Sequence, residues 1–491
     1  MSKLAAGDTL IVGNGTYAED HIGRDAPSGN AGPDGVAGTA DDVYTTIQAE
    51  TDFGVVIVPR TGVQYGTIWL YNASFIKVRG FVARGNADTE PLIVDHSNHI
   101  KIIRCGLTYA PTDNNPANAD IGPASDYVLL EECYAFGGGR YQFIIYQSDH
   151  TVVRRCVARN DYFSGATSGL QSAAFVNYDS VHTVWQNNIA IDSNNGCCPG
   201  HSGLYAAFFN ENKTDTAPDT SEEFDGNIVL NFKPLYAANL DWVASGTHTS
   251  SDNIYWDSLG GYQADQGSGI AASWSIKNLT VGSMLGTYDG PNGTAGMGTG
   301  VSVYSDLTNS VTSSIFVTNH SYGVADYVRG DYNAFFGNGA NYGGNHTPSP
   351  GAHDLTSHNI LYAAGTNPGG SLKYLPRGPE AGSVLKTAGS SGGRIGAEVM
   401  WKIGVDGTLQ GETGWNTVRN AANGFGGVND RLWPFPNEAV IKTDMASYSG
   451  PGLAGARGFC AAGKQLDGTS NVTLTSYIWE YLGNPMPASP Y

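Results

Sequence analysis

The sequence predicts an all-β fold, a right-handed single-stranded parallel β-helix (a solenoid of stacked short strands) with a mixed C-terminal appendage. Its main support is a repeat: FIIYQSDHTVVRRCVAR (143–159) aligns without a gap to FVNYDSVHTVWQNNIAI (175–191), 32 residues later. The composition agrees, because glycine accounts for 66 of the 491 residues and charged residues for only 14%. Many turn-forming residues with few charges favour a β-rich protein over a helical one.

The repeat indicates which side chains face the interior. Apolar residues alternate along each unit, and a period of two predicts strands. Two polar residues interrupt the alternation, as at Glu131–Glu132 and Arg154–Arg155, and we expect them at a corner between two strands. One equivalent position of successive units is expected to form an inward column of core side chains, consisting of Phe81, Cys105, Cys133, Cys156 and Asn188. The remaining cysteines suggest no disulfide framework: Cys197 and Cys198 are adjacent and are expected not to bond to each other, and Cys460 stands alone.

Three regions follow from the pattern. Residues 1–52 hold an N-terminal strand and a loop, residues 53–375 hold the rungs, and residues 376–491 form the appendage, with helix-like stretches at 398–404, 416–424 and 474–483. Uncovered strand edges would pair with other chains, so we expect the appendage to pack on the solenoid or cap it. A partner-binding or glycan-binding module is the alternative.

The charge balance and the hydropathy narrow the partners and the location. A formal net charge of −19 disfavours nucleic-acid binding, which needs a basic face. The sequence contains no run of about 18 apolar residues, so we expect no membrane span. The start, MSKLAAGDTLIVG, lacks the apolar core of a signal peptide. The composition is that of a secreted or cell-surface protein, and the oligomeric state stays open.

Several segments resemble the pectate-lyase-like β-helix superfamily. AGDTLIVGNGTY (6–17) resembles its first turn, SVTSSIFVTN (310–319) with RGDYNAFFGNG (329–339) resembles its late rungs, and SVLKTAGSSGGRIGA (383–397) resembles its closing segment. The resemblance covers about residues 6–397 and implies a carbohydrate-active protein, similar to a polysaccharide lyase or hydrolase. No catalytic signature of a particular family is matched.

Basic residues fall near the predicted corner. In lyases of this kind an Arg or Lys base removes the C5 proton of a uronic acid. The resemblance implies the same role for the row of basic residues along this corner. The substrate-binding candidates are Arg79, Arg104, Arg140, Arg155 and Tyr205. Cross-rung ion pairing with Glu131 and Glu132 is the alternative.

Two polar, glycine-rich loops, 159–171 and 193–205, are expected to wall a groove on successive turns. The catalytic candidates are Arg159, Asp161, Tyr162, Asp192 and His201. Asp161 and Asp192 could act as the carboxyl pair of a hydrolase, with Asp179 as a third option. Loop caps and turns would explain the same residues without catalysis.

The loop GRDAPSGNAGPDGVAGTADD (23–42) offers hard oxygen ligands on a glycine-rich backbone, which suits a structural Ca²⁺ ion. The candidate ligands are Asp25, Asp34, Asp41 and Asp42, and an unoccupied turn is the alternative. For the whole chain we expect a carbohydrate-active protein acting on an extracellular polysaccharide, with β-elimination of a uronate-containing glycan slightly favoured. A glycoside hydrolase and a non-catalytic adhesin or fibre protein are the alternatives.

Overall fold

The computed structural model is a right-handed parallel β-helix, as the sequence predicts, in which each turn of the coil after the first adds one strand to each of three sheets. The structure describes residues 3–113, 115–165, 170–198, 203–211, 221–241, 245–264, 271–286, 298–303, 309–356, 375–379, 383–483 and 485–491.

Within these residues each sheet is entirely parallel. Sheet A contains β1 (Thr9–Val12), β3 (Thr45–Ala49), β6 (Ser74–Arg79), β9 (Asn98–Ile103), β12 (Asp126–Glu131), β15 (Val152–Arg154), β18 (Val184–Gln186), β21 (Glu223–Asp225), β24 (Ser245–Ser251), β27 (Ala271–Lys277), β30 (Asn309–Thr312) and β33 (Val328–Asp331). Sheet B contains β2 (Gly15–Glu19), β4 (Val55–Pro59), β7 (Phe81–Arg84), β10 (Gly106–Thr108), β13 (Tyr134–Gly137), β16 (Val157–Asn160), β19 (Ile189–Asn194), β22 (Ile228–Lys233), β25 (Ile254–Trp256), β28 (Thr280–Gly282), β31 (Ile315–Val317) and β34 (Ala334–Phe336). Sheet C contains β5 (Tyr65–Tyr71), β8 (Thr89–Asp95), β11 (Ala117–Ile121), β14 (Tyr141–Tyr146), β17 (Ser172–Tyr178), β20 (Leu204–Glu211), β23 (Tyr236–Asp241), β26 (Tyr262–Ala264), β29 (Val301–Val303), β32 (Tyr322–Asp326) and β35 (Ala340–Gly343).

The corner between sheets A and B is made by the polar pairs of the repeat. The second residue of each pair has a positive φ, close to 53° at Arg104, Glu132, Arg155 and Asn187. One left-handed residue turns the chain sharply enough for a strand of sheet B to begin two residues later. The predicted corner is therefore confirmed, and its polar side chains point outwards.

The inward column next to this corner is also confirmed, since all five of its predicted members are fully buried. The column continues as an asparagine ladder. The Asn188 Oδ1 atom accepts a hydrogen bond from the Cys156 backbone N–H at 2.9 Å, and its Nδ2 donates to the Val153 carbonyl at 2.8 Å. Asn227 accepts from the Asn188 N–H in the same way. Each amide thus satisfies backbone groups that the bend leaves without sheet partners.

The C-terminal segment (375–491) runs along the outside of sheet B. It contains α1 (Glu438–Ala446), α2 (Leu474–Tyr481) and single 3-10 turns at Leu375–Arg377, Val384–Lys386, Ser390–Gly392, Ala421–Asn423, Val428–Asp430 and Gly458–Cys460. Outward side chains of sheet B, from Tyr134 to Ala334, form one buried cluster with Trp433, Ile478 and Trp479 of this segment. Neither helix has the length or the apolar character to cross a bilayer, as far as the described residues go.

Some local predictions need correction. Residues 398–404 are extended, because Trp401 and Ile403 make antiparallel bridges to Arg431 and Val418. Of residues 416–424 only 421–423 form a helical turn, whereas α2 confirms the third helix-like stretch.

Cys197 and Cys198 form a disulfide with each other, so the prediction that they do not bond is wrong. A 3-10 turn (Asn195–Cys197) directs both side chains into the apolar interior of the coil, where their sulfurs meet.

Candidate functional site

The basic corner residues are engaged with protein acceptors. Arg79 makes a bidentate ion pair with Asp52, at 3.0 and 2.9 Å. Arg104 donates to Asp52 at 2.9 Å and to Glu132 at 2.8 Å. Arg79 and Arg104 thus take part in cross-rung ion pairs, the alternative to substrate binding that the sequence leaves open.

Arg155 lies deeper and contacts the C-terminal segment. Its side chain is inaccessible to solvent and lies 3.1 Å from Glu131 and 3.3 Å from Glu132. It also donates to the Ile403 carbonyl at 2.7 Å and to Asp406 at 2.9 Å. The guanidinium of Arg155 thus attaches the C-terminal segment to the β-helix, and its role in substrate binding stays a prediction.

The charges at this corner balance each other. Burial opposes the ionisation of Glu132, but the neighbouring cations Arg155, Lys402 and Arg104 outweigh it and hold the pKa of this carboxyl below its ordinary value. Glu132 is therefore ionised at neutral pH and links the corner to Lys402 of the C-terminal segment, 3.4 Å away.

The predicted catalytic pair is buried as well. The Arg159 Nε atom lies 3.0 Å from an Asp161 oxygen, and neither side chain is exposed. Arg159 also donates to the Gly455 and Met445 carbonyls, at 2.9 and 2.8 Å. The C-terminal segment thus covers Arg159 and Asp161, and their catalytic role stays a prediction.

Two of the remaining catalytic candidates, Asp192 and Tyr162, also contact the C-terminal segment. Asp192 is buried and accepts hydrogen bonds from the Tyr477 hydroxyl at 2.8 Å and the Phe459 N–H at 2.9 Å. Tyr162 packs against the C-terminal segment, and Asp179 lies at a left-handed bend after β17. His201 lies outside the described residues. Asp161 and Asp192 therefore lie against the C-terminal segment and do not flank an open cleft.

The outer face of sheet C carries an open cavity that the predictions missed. It has a volume of about 450 Å³ at the end where the turns from sheet B arrive. The residues lining it are Gln64, Tyr65, Ala87, Asp88, Glu90, Ile93, Pro111, Asp113, Asn115 and Pro116. We call it the sheet C groove. Among the substrate-binding candidates, Arg140 borders it by donating to Asn115 at 2.6 Å, and Tyr205 lies farther along the same sheet.

An aromatic platform stands at one side of the groove. The ring of Tyr65 is 59% exposed and stacks on Trp69, with 4.8 Å between the centroids and 16° between the planes. The guanidinium of Arg24 lies over the Trp69 ring at 4.7 Å. The indole is thus fixed from two sides, and the outer ring offers a flat apolar surface of the kind that packs on a sugar ring.

Two carboxyl groups lie on the strands beside this platform. Glu90 of β8 pairs in register with Gly66, next to Tyr65, and Asp120 of β11 pairs with Ile93 of the groove wall. Both residues are partly exposed, yet Glu90 Oε2 and Asp120 Oδ1 are shielded from solvent and have no hydrogen-bond partner among the described residues.

This environment favours the protonated form of both groups. Burial raises the pKa of Glu90, and repulsion from Asp120 raises it further. Burial, with the charge of Asp95, raises the pKa of Asp120 to about 7. Carboxyl groups with raised pKa values keep their protons to higher pH than ordinary carboxyls, and such groups can act as acid and base.

A signal for this pair was present in the sequence. The β8 segment TEPLIVD and the β11 segment ANADI place acidic residues within short apolar strands. The repeat defines only two strands of each unit. It therefore does not predict the register of sheet C, which brings Glu90 and Asp120 onto neighbouring rungs.

The predicted calcium loop is held by its own hydrogen bonds. Asp34 accepts from the Val36 N–H at 2.7 Å, Asp41 from the Thr39 hydroxyl at 2.7 Å, and Asp42 from the Gly38 N–H at 3.0 Å. Asp25 is exposed. The structure thus brings Asp34 and Asp41 together through Thr39, and Ca²⁺ binding stays a prediction.

Comparisons with known proteins concern the fold. No protein-family model and no curated protein matches the chain. Among solved structures, the chain is similar to the A-modules of two Azotobacter vinelandii mannuronan C-5 epimerases. These are AlgE6 (12% identity, TM-score 0.35) and AlgE4 (14% identity, TM-score 0.37), each match covering 72% of this chain and 91% of the other. A PL6 alginate lyase in complex with a trisaccharide matches with 11% identity and a TM-score of 0.36, over 71% of this chain and 81% of the other.

Proposed function

We propose that this β-helix is carbohydrate-active, that it binds a polysaccharide in the sheet C groove, and that it hydrolyses the bound polysaccharide with Glu90 and Asp120. The observation that carries the proposal is the carboxyl pair with raised pKa values beside an exposed aromatic platform. Sugar sites combine aromatic surfaces with a few polar groups, and glycoside hydrolysis uses two carboxyls.

The two carboxyls have complementary roles in this mechanism. The protonated member donates its proton to the glycosidic oxygen as the bond to the anomeric carbon breaks. A water molecule bonds to the anomeric carbon and passes a proton to the ionised member. The exposed ring of Tyr65, which stacks on Trp69, positions the sugar ring. The exposed acidic rim at Asp88 and Asp113 favours an uncharged glycan over an anionic one.

This choice differs from the reaction favoured by the sequence. β-Elimination needs a base and a cation that neutralises the uronate carboxyl, and Arg159, the arginine among the catalytic candidates, is buried in an ion pair. The groove instead presents carboxyls. β-Elimination of a uronate-containing glycan and binding without cleavage are therefore the alternative outcomes of the test.

The test is incubation of the protein with neutral β-glucans, xylan and mannan, and separately with alginate and pectate. We expect new reducing ends from a neutral glycan without the ultraviolet absorbance of unsaturated uronates. Glu90→Gln and Asp120→Asn should each lower kcat by about 10²–10⁴-fold. Glu50→Gln, an exposed carboxyl outside the groove, is the matched control and should keep full activity.

Other results would contradict the proposal in distinct ways. Unsaturated products from alginate or pectate would show a lyase. Full activity of both Glu90→Gln and Asp120→Asn would place the chemistry elsewhere. Tight glycan binding without any product would favour the non-catalytic alternative.

A further inference from the structure

A second cavity lies between the corner of sheets A and B and the C-terminal segment, on a different side of the β-helix from the sheet C groove. Its volume is about 240 Å³. The β-helix contributes Asn187, Asp225, Gly226, Ser251 and Asp252, and the C-terminal segment contributes Arg394, Glu398, Trp401, Ile403, Asn416, Val418 and Asn420. We call it the corner cavity.

Its walls are rich in hydrogen-bond acceptors. Asp252 accepts from the Glu398 N–H at 2.9 Å and pairs with Arg394, and Asp225 accepts from the Ser251 hydroxyl. Burial raises the pKa of Asp225 to about 6, and burial also raises the pKa values of Asp252 and Glu398. The cavity thus favours a partner that donates hydrogen bonds without carrying a negative charge.

Two buried donors lack a partner at this cavity. Asn187 is 1% exposed, and its Oδ1 accepts from the Ile403 N–H at 2.7 Å, but its Nδ2 has no acceptor among the described residues. The same holds for Arg394 Nε. A buried donor without an acceptor costs about 1–3 kcal/mol, and a ligand oxygen in the cavity would relieve that cost.

A glycine keeps this space open. Gly226 occupies the left-handed corner position (φ 69°) that Arg104, Glu132 and Arg155 fill in earlier turns. A Cβ atom at this glycine would lie 2.6 Å from Asn187 Nδ2. The position tolerates side chains elsewhere in the coil, so the glycine here is explained by the space in front of the Asn187 amide.

We propose that the corner cavity binds one uncharged sugar unit. Sugar hydroxyls would donate to the carboxyls, a sugar oxygen would accept from Asn187 Nδ2, and Trp401 supplies a partly exposed ring at the wall. A metal ion fits less well. The carboxyl oxygens of Asp225, Asp252 and Glu398 do not all lie within 4.8 Å of one another. Among the described residues, Asp149, His150 and His182 do place their ligand atoms that close together, elsewhere in the protein.

This site is independent of the proposed hydrolysis, because it shares no residue with the sheet C groove. Its walls come from both the β-helix and the C-terminal segment, so a bound sugar would bridge them. Binding should therefore raise the melting temperature and alter the fluorescence of Trp401.

The test is titration of the full chain with the methyl glycosides of glucose, galactose, mannose and xylose, followed by calorimetry and by thermal unfolding. At least one glycoside should bind and raise the melting temperature. Gly226→Ala and Glu398→Gln should each weaken binding at least tenfold while leaving hydrolysis at the sheet C groove unchanged.

Gly468→Ala is the matched control, because Gly468 has a similar φ of 72° but nothing within 4 Å of the point where a Cβ atom would lie. It carries the same backbone strain and should bind sugar normally. Glu398→Gln tests the site even if Gly226→Ala folds poorly. The proposal would be overturned if none of the four glycosides bound, or if both cavity variants bound sugar as tightly as the wild-type protein.

Discussion

Arg155→Met removes the charge that joins the β-helix to its C-terminal segment. The guanidinium is fully buried and contacts Glu131, Glu132, Asp406 and the Ile403 carbonyl at 2.7–3.3 Å. Methionine fills a similar volume, but it removes one of the cations that neutralise Glu131, Glu132 and Asp406. Removing one partner of a buried ion pair costs about 3–5 kcal/mol.

The neighbouring contacts place the effect at the lower end of this range. Glu131 keeps Arg154 at 2.7 Å, and Glu132 keeps Arg104 at 2.8 Å. Asp406 is half exposed and keeps Arg419. We therefore expect a loss of about 3 kcal/mol in the free energy of unfolding. Arg60→Ala, which removes ion pairs of 3.5 and 3.7 Å on the surface, should cost at most about 1 kcal/mol.

Urea unfolding measures the difference with two probes. Four of the nine tryptophans (Trp401, Trp415, Trp433 and Trp479) lie in the C-terminal segment, so release of this segment contributes to the fluorescence change, whereas far-ultraviolet circular dichroism reports mainly on the β-helix. Arg155→Met should shift the fluorescence transition to lower urea. A shift no larger than that of Arg60→Ala would refute the assignment of Arg155 as an anchor.

The remaining predictions concern pH and calcium. Because the folded pKa of Glu132 is depressed, its stabilising effect is complete above the unfolded value and is lost as the pH falls through the folded value. The stability gap between the wild-type protein and Glu132→Gln should thus be constant from pH 7 to about 5 and shrink in more acidic urea titrations; a gap that widens in acid would contradict this. If the loop at 23–42 binds Ca²⁺, a chelator should lower the melting temperature of the wild-type protein more than that of Asp34→Asn/Asp41→Asn, whereas equal curves would show that the loop's own hydrogen bonds suffice.

The sequence carried enough information for the coil and its interior. Alternation and a gapless repeat locate strands and corners, because every turn repeats the same local requirement. The inward positions of Cys105, Cys133 and Cys156 followed from that alone. The disulfide between Cys197 and Cys198 depends on the direction of one 3-10 turn, which no repeat specifies.

The candidate site could not be predicted in the same way. Arg159 and Asp161 are on the expected rungs, but whether they face solvent depends on a segment nearly 300 residues later, which supplies the Gly455 carbonyl. Glu90 and Asp120 lie 30 residues apart, and only the register of sheet C makes them neighbours. Which residues can form a site therefore depends on which face of the coil stays uncovered.

The C-terminal segment is synthesised after the part of the β-helix that it covers. Arg155 is made 248 residues before its acceptor at Ile403. At typical elongation rates of about 5–20 residues per second, the interval is roughly 10–50 s. During this time a nascent coil presents three arginines, Arg154, Arg155 and Arg159, and the apolar outer face of sheet B to the surroundings. The last quarter of the chain thus covers this surface only at the end of synthesis. A protein that ended before this segment would expose a charged and apolar surface prone to association.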